Sequence, residues 1–195
     1  MQNRPALPSS TTRPSTMDHK TTKQPPLEHT RHNPSTSGEP MAVLMVCMGN
    51  ICRSPTAHGV LQKMVADAGL ADRIRVDSAG THGYHVGEPP DQRAQAHAAR
   101  RGYDLSAQRA RKLTRRDFSD YDLVLVMDDH NEHAARALCP PGSEDRLRRL
   151  TDFCTRLEAH EVPDPYYGGA DGFEHVLDVV EDGCEGVMRW WMDKR

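Results

Sequence analysis

From residue 42 onward the chain switches repeatedly between two hydrophobic periods. "AVLMV" (42–46) is an unbroken apolar run, the pattern of a strand covered on both faces. In "SPTAHGVLQKMVADAGL" (54–70), Val60, Leu61, Met64, Val65 and Ala68 recur at helical spacing. Ser54 suits the N-cap of that helix, Pro55 its first position and Gly69 its exit. The alternation then repeats. "IRVDSAG" (74–80) predicts a second strand, and "PDQRAQAHAARRG" (90–102) a second helix closed by Gly102. "YDLVLVM" (121–127) predicts a third strand and "DDHNEHAARAL" (128–138) a helix after it. "RLRRLTDF" (146–153) is a weaker strand, and "GFEHVLDVVEDGCEGVMRWWMDK" (172–194) predicts a closing helix despite Gly183 and Gly186. Strands alternating with helices in a 195-residue chain point to one α/β domain with a parallel, doubly wound sheet. Ligands in such folds bind at the carboxyl ends of the strands.

Residues 1–40 carry no such pattern. Pro5, Pro8, Pro14, Pro25, Pro26, Pro34 and Pro40 break regular structure, and Ser and Thr fill much of the rest. A segment this poor in apolar side chains does not offset its ordering entropy, so it is expected to be a disordered tail. A misassigned start is the alternative, because Met41 directly precedes the first strand. Residues 41–195 are expected to form the folded domain.

Composition narrows the function mainly by exclusion. A formal charge of −3 calls for neither nucleic acid nor an anionic membrane as partner. No apolar stretch approaches the roughly 20 residues that span a bilayer, and the N-terminus lacks the apolar core of a secretory signal, so a cytoplasmic location is expected. Five cysteines (Cys47, Cys52, Cys139, Cys154, Cys184) fit neither a disulfide framework nor a paired zinc pattern.

The chemistry concentrates in "VCMGNICRSP" (46–55), directly after the first strand. The C-x5-R spacing alone is a weak signal, and its context supplies the specificity. A strand, a cysteine, a glycine-containing loop, an arginine and a helix start can turn successive backbone N–H groups into one anion-binding concavity. Arg53 can add a bidentate contact to two phosphoryl oxygens. The same positive surroundings favour Cys47 as thiolate, the nucleophilic form. A thiolate attacking phosphorus needs a leaving group that departs protonated. "VPDPYYGG" (162–169) offers Asp164 on a loop stiffened by Pro163 and Pro165, beside the aromatic faces of Tyr166 and Tyr167.

"VCMGNICRSPTAHGVL", "VDSAGTHGYHVGEPPDQRA", "YDLVLVMDDHN" and "DPYYGG" together resemble the low-molecular-weight protein tyrosine phosphatases over about residues 42 to 192. The "GNICRSP" and "SAGT" wording is closer to bacterial than to animal members. The resemblance implies a four-stranded parallel sheet flanked by helices, with a phosphate-binding loop after the first strand. It also implies hydrolysis of protein phosphotyrosine and aryl phosphates through a phosphocysteine intermediate, with no metal or other cofactor. Carried over by position, Cys47 is the nucleophile and Arg53 the clamp that stabilises the transition state. Asp164 protonates the leaving phenolate, then serves as base for the attacking water. Met48, Gly49, Asn50, Ile51, Cys52 and Ser54 belong to the loop. Asn50 and Ser54 brace it and the thiolate, with Ser78 in their support. Tyr84 matches one wall of the cleft, and Tyr166 and Tyr167 the other. A reversible Cys47–Cys52 disulfide is implied, a cysteine packed under the loop being the alternative. The implied partner is a phosphotyrosine-containing protein, which in bacteria is often a tyrosine autokinase. His58 departs from the family, many of whose bacterial members are acidic there, and a solvated surface histidine is expected.

Other readings fit less well. Arsenate reduction on this fold needs further cysteines, typically a close pair, and would leave "DPYYGG" without a purpose. A phosphoarginine phosphatase tends to carry threonine where this chain has Ile51. A catalytically dead binding module would usually lack Cys47 or Asp164. Zinc on Cys47, Cys52 and His58 is opposed by Arg53 between the ligands. The basic stretch "QRARKLTRRDF" (108–118) is expected to be a solvated face, or else to steer acidic partners toward the cleft.

Overall fold

The computed structural model describes residues 40–166 and 169–194. The predicted tail, apart from Pro40, and Tyr167 lie outside the described residues. Four parallel strands form the sheet: β1 (Met41–Cys47), β2 (Ile74–Gly80), β3 (Leu123–Val126) and β4 (Leu147–Arg149), in the order β2-β1-β3-β4. The helices are α1 (Arg53–Asp67), α2 (Gln92–Arg100), α3 (Asp117–Asp120), α4 (Asp129–Arg136) and α5 (Ala170–Asp193). This is the four-stranded parallel α/β fold that the sequence and the resemblance both implied. No helix among the described residues is long and apolar enough to cross a membrane.

The unbroken apolar run of β1 follows from its central place in the sheet. Val43, Met45 and Cys47 face α1 and α5 with Leu125, Val60, Leu61, Val180 and Val187. Ala42, Leu44 and Val46 face the other layer with Val124, Val126, Leu113, Phe118 and Ala135. Each fully buried Val or Leu in these layers contributes about 1.5–3 kcal/mol. Hydrogen bonds pair Cys47 with Gly80 and Val46 with Val126 in register, so β1, β2 and β3 end together. Their carboxyl edge is where the loops converge.

Two regions differ from expectation. The "RLRRLTDF" strand is only three residues long, then gives way to a 3-10 turn over Leu150–Phe153. That turn packs on α5 at the two glycines that interrupt its helical pattern. A Cβ on Gly183 would sit 2.8 Å from Leu150 Cγ, and one on Gly186 only 1.8 Å from the Phe153 carbonyl oxygen. The glycines are therefore the seat of a close helix–turn contact. The basic stretch is also not a simple solvated face. Arg111 turns inward to pair with Asp77 at 2.9 Å and Asp117 at 3.0 Å, and the stretch runs into the unpredicted helix α3.

Candidate active site

Cys47 is the last residue of β1 and is buried. The chain turns sharply after it because Asn50 adopts φ 57°, the one positive φ at a non-glycine among the described residues. Three side-chain bonds hold that conformation. Asn50 Nδ2 donates to Ser54 Oγ at 3.0 Å and to Ser78 Oγ at 2.9 Å, and Oδ1 accepts from Arg111 N at 2.9 Å. The turn brings Asn50 N to 3.3 Å from Cys47 Sγ, with Ser54 Oγ at 3.1 Å on the same sulfur. Ser54 Oγ already accepts from Asn50, so its own proton is available to the sulfur or to the Ala79 carbonyl at 3.3 Å. Gly80 makes room for the loop: a Cβ there would meet Met48 O at 2.7 Å and Asn50 N at 3.1 Å.

Ser54 was expected to cap the following helix. Instead α1 starts at Arg53 with Cys52 at its N-cap and no side-chain cap. The serine hydroxyl is committed to the sulfur network, and the uncapped amides at the positive end of a 15-residue helix favour an anion. Pro55 lies at the third helical position, where a missing N–H removes no intrahelical bond.

Arg53 is buried beside this loop. Its Nη1 donates to Asp128 Oδ2 at 2.5 Å and to the Val162 carbonyl at 3.2 Å, and its Nη2 to Asp164 Oδ2 at 3.0 Å. Burial opposes the charge, but Cys47, Asp128 and Asp164 together raise its pKa above the ordinary arginine value. Asp164 is half-exposed, and its Oδ1 accepts from Tyr166 N at 3.0 Å. The segment carrying it is tied to the sheet edge by Val162 N donating to Met127 O at 2.8 Å.

A cleft of about 220 Å³ opens over this arrangement. Cys47, Met48, Gly49, Ile51, Cys52 and Arg53 form its floor, with Asp164, Tyr166 and Tyr84 around it. Tyr84 is exposed and stacks on His82 with ring centroids 5.4 Å apart. Asn50, Ser54 and Ser78 are buried behind the floor. Cys52 is a free thiol packed with Ala94 and Phe173. Burial, then the charge of Asp91, pushes it up to about 12. Cys154 and Cys184 are pushed up by burial as well, and with Cys139 they lie outside the cleft.

Three residues of the site were missed in the sequence, and one was misjudged. Asp128 opens the predicted helix 128–138, and its position just past β3, beside β1, is the signal that it stands at the carboxyl edge. His85 lines the cleft next to Gly49 and pairs with Glu88 at 2.8 Å. Arg111 supports Asn50 through its backbone. His58 is not the solvated histidine expected: it is partly buried, with Nδ1 3.4 Å from Ser78 Oγ, and burial lowers its pKa.

Comparison with known proteins places the chain among relatives. The family model described as low molecular weight phosphotyrosine protein phosphatase matches residues 42–194. A low molecular weight protein-tyrosine-phosphatase of Streptomyces coelicolor is 44% identical over 149 residues, 75% of this chain and 90% of the relative. The crystal structure of a protein tyrosine phosphatase from Entamoeba histolytica with Hepes in its active site superposes with a TM-score of 0.76 at 38% identity, covering 78% of this chain and 97% of that one. YfkJ from Bacillus subtilis superposes at 0.77 with 33% identity, over 82% of this chain and 99% of that one.

Proposed function

The chain belongs to the low molecular weight phosphotyrosine protein phosphatase family, and from that premise we propose that it removes phosphate from protein phosphotyrosine and aryl phosphates at the Cys47 cleft. The observation that carries the reading is that Cys47 and Arg53 of one loop share a cleft with Asp164 of a distant segment, with Asn50 N donating to the cysteine sulfur and Ser54 Oγ in hydrogen-bond contact with it.

In the proposed reaction the phosphoryl group sits over the floor, held by loop amides and Arg53. Its oxygens compete with Asp164 for Arg53 Nη2, which turns the carboxyl toward the leaving group. The Cys47 thiolate attacks phosphorus, the P–S bond forms as the P–O bond to tyrosine breaks, and Asp164 delivers its proton to the departing phenolate oxygen. Water then attacks the phosphocysteine, Asp164 takes the water proton, and the thiolate leaves as phosphate is released. Asn50 and Ser54, with Ser78 behind them, preorganise the sulfur. Tyr84 and Tyr166 flank the aromatic ring, and Tyr167 joins them on family grounds. Ile51 in the cleft floor suits a flat aryl ester better than phosphoarginine. The domain assignment 41–195, a Cys47–Cys52 disulfide under oxidation, a cytoplasmic location and a tyrosine autokinase as partner belong to the same proposal.

Phosphate release from a phosphotyrosyl peptide, measured in chelator and reductant, tests the reading. Wild type should turn over. Cys47→Ser should abolish release, and Asp164→Ala should slow it by about 10²- to 10³-fold. A wild type inactive under these conditions would overturn the assignment.

A further inference from the structure

Arg93 does not line the cleft, yet it joins the two segments that build it. It stands in the first turn of α2, after the N-cap Asp91. Asp91 grips it at two points, Oδ1 accepting from Nε at 3.1 Å and Oδ2 from Nη2 at 2.9 Å. Asp91 is itself tied to the phosphate-loop segment, its backbone N donating to Ile51 O at 2.7 Å. The nitrogen left over, Nη1, donates to the Tyr166 carbonyl at 3.1 Å. Tyr166 N in turn donates to Asp164 Oδ1 at 3.0 Å. The guanidinium carbon also lies 5.5 Å from the Tyr166 ring centroid and 5.0 Å from that of Phe173 in the first turns of α5.

A continuous set of contacts therefore runs from Ile51 through Asp91, Arg93 and Tyr166 to Asp164. The loop carrying Asp164 is pinned at one end by Val162 on Met127 and at the other by Arg93 on Tyr166. Between the pins the carboxyl is half-exposed.

We propose that Arg93 is a positioning residue for proton delivery, fixing the Asp164 loop at the height of the phosphate loop through the Tyr166 carbonyl. The inference rests on the proposed phosphatase reaction and deepens it. A proton donor works only within hydrogen-bond reach of the leaving oxygen, and an error of about 1 Å costs up to roughly 10²-fold. Releasing the Tyr166 pin leaves the loop held at Val162 and by the Arg53–Asp164 pair, and in the proposed reaction the phosphoryl oxygens displace that pair. The sulfur and Arg53, held by Ser54, Asn50 and Asp128, stay in place. Lysine does not substitute, because one ammonium lacks the planar fork that holds Asp91 at two points while reaching a carbonyl.

The test compares two esters. Phenyl phosphate releases a weakly acidic phenol that needs the proton, whereas 4-nitrophenyl phosphate releases an acidic one that needs it far less. Arg93→Ala should lower kcat/KM for phenyl phosphate by about tenfold or more, and for the nitrophenyl ester by less than about threefold. Inhibition by inorganic phosphate should stay within about twofold, since the anion site is intact. Arg93→Lys should behave like Arg93→Ala, and Asp164→Ala should show the same ester preference more strongly. Equal losses on both esters, weakened phosphate inhibition that accounts for the loss, or full rescue by lysine would each overturn the proposal. If wild type hydrolyses neither ester, the phosphatase reading itself falls. If wild type and Asp164→Ala behave as described and Arg93→Ala matches wild type, only the role of Arg93 falls.

Discussion

Arg53 and Asp128 form a buried ion pair in which each partner does a second job. Asp128 Oδ2 accepts from Arg53 Nη1, while its Oδ1 accepts from Asn131 N at 2.6 Å and so caps α4. Arg53 keeps its other terminal nitrogen for Asp164. One carboxylate just past β3 thus orients the guanidinium at the start of α1 and itself starts α4.

Removing that carboxylate is expected to be expensive. Asp128→Ala leaves a buried guanidinium short of a partner and deletes a helix cap, a combined loss of about 3 kcal/mol or more. Urea unfolding measures it directly. Inhibition by inorganic phosphate should weaken in the same variant as Arg53 loses its orientation. Asp128→Asn keeps a capping oxygen and should lose less stability.

Asn50 combines a left-handed backbone with a bracing side chain, and two substitutions separate these roles. Asn50→Ala should lower kcat/KM for an aryl phosphate by about 10- to 100-fold, through loss of both the loop conformation and the support of Ser54. Asn50→Gly tolerates φ 57° but lacks the amide, so it should regain stability in thermal unfolding without regaining activity. Equal activity of Asn50→Gly and wild type would show that backbone shape alone suffices.

Gly186 is a packing requirement rather than a flaw in α5. Alanine is the better helix former by about 1 kcal/mol, but its Cβ would fall 1.8 Å from the Phe153 carbonyl oxygen. Gly186→Ala is therefore expected to destabilise the fold by about 3 kcal/mol, the overpacking outweighing the propensity. Calorimetry should show the lowered Tm.

His58 gives the fold a specific pH dependence. Burial disfavours its charged form most, the Arg111 charge adds to that, Asp77 opposes it, and the net shift is downward. The unfolded chain takes up the proton near pH 6.5, while the folded state resists it to lower pH. The stabilisation is thus fully present above about pH 6.5 and lost as pH falls toward the lowered folded value. His58→Gln should reduce the difference in Tm between pH 7.5 and pH 5. An unchanged difference would assign the acid sensitivity to other groups.

What the sequence determined by itself is local. The apolar run 42–46, the helical spacing after Pro55, the glycines at 69 and 102, and the cysteine–glycine–arginine loop after a strand all act within a few residues of one another, so they could be read directly. That reading placed a phosphate-binding loop after the first strand and made Cys47 and Arg53 candidates, while Asp164 was a candidate from the separate stretch 162–169 and the three roles came from the family resemblance. Only the tertiary structure decided how distant residues share the work. Ser54 leaves the capping role because a sulfur and the Asn50 amide lie within reach of its hydroxyl. Asp128 and Arg111 enter because neighbouring strands and loops bring them to the edge beside Arg53 and Asn50. His58 is partly buried because α1 presses it onto the β2 serine, and Gly183 and Gly186 are needed because a 3-10 turn lies against α5. Hydrophobic period and turn chemistry are properties of neighbours along the chain, whereas ion pairing, burial and close packing depend on which segments the sheet order β2-β1-β3-β4 places side by side.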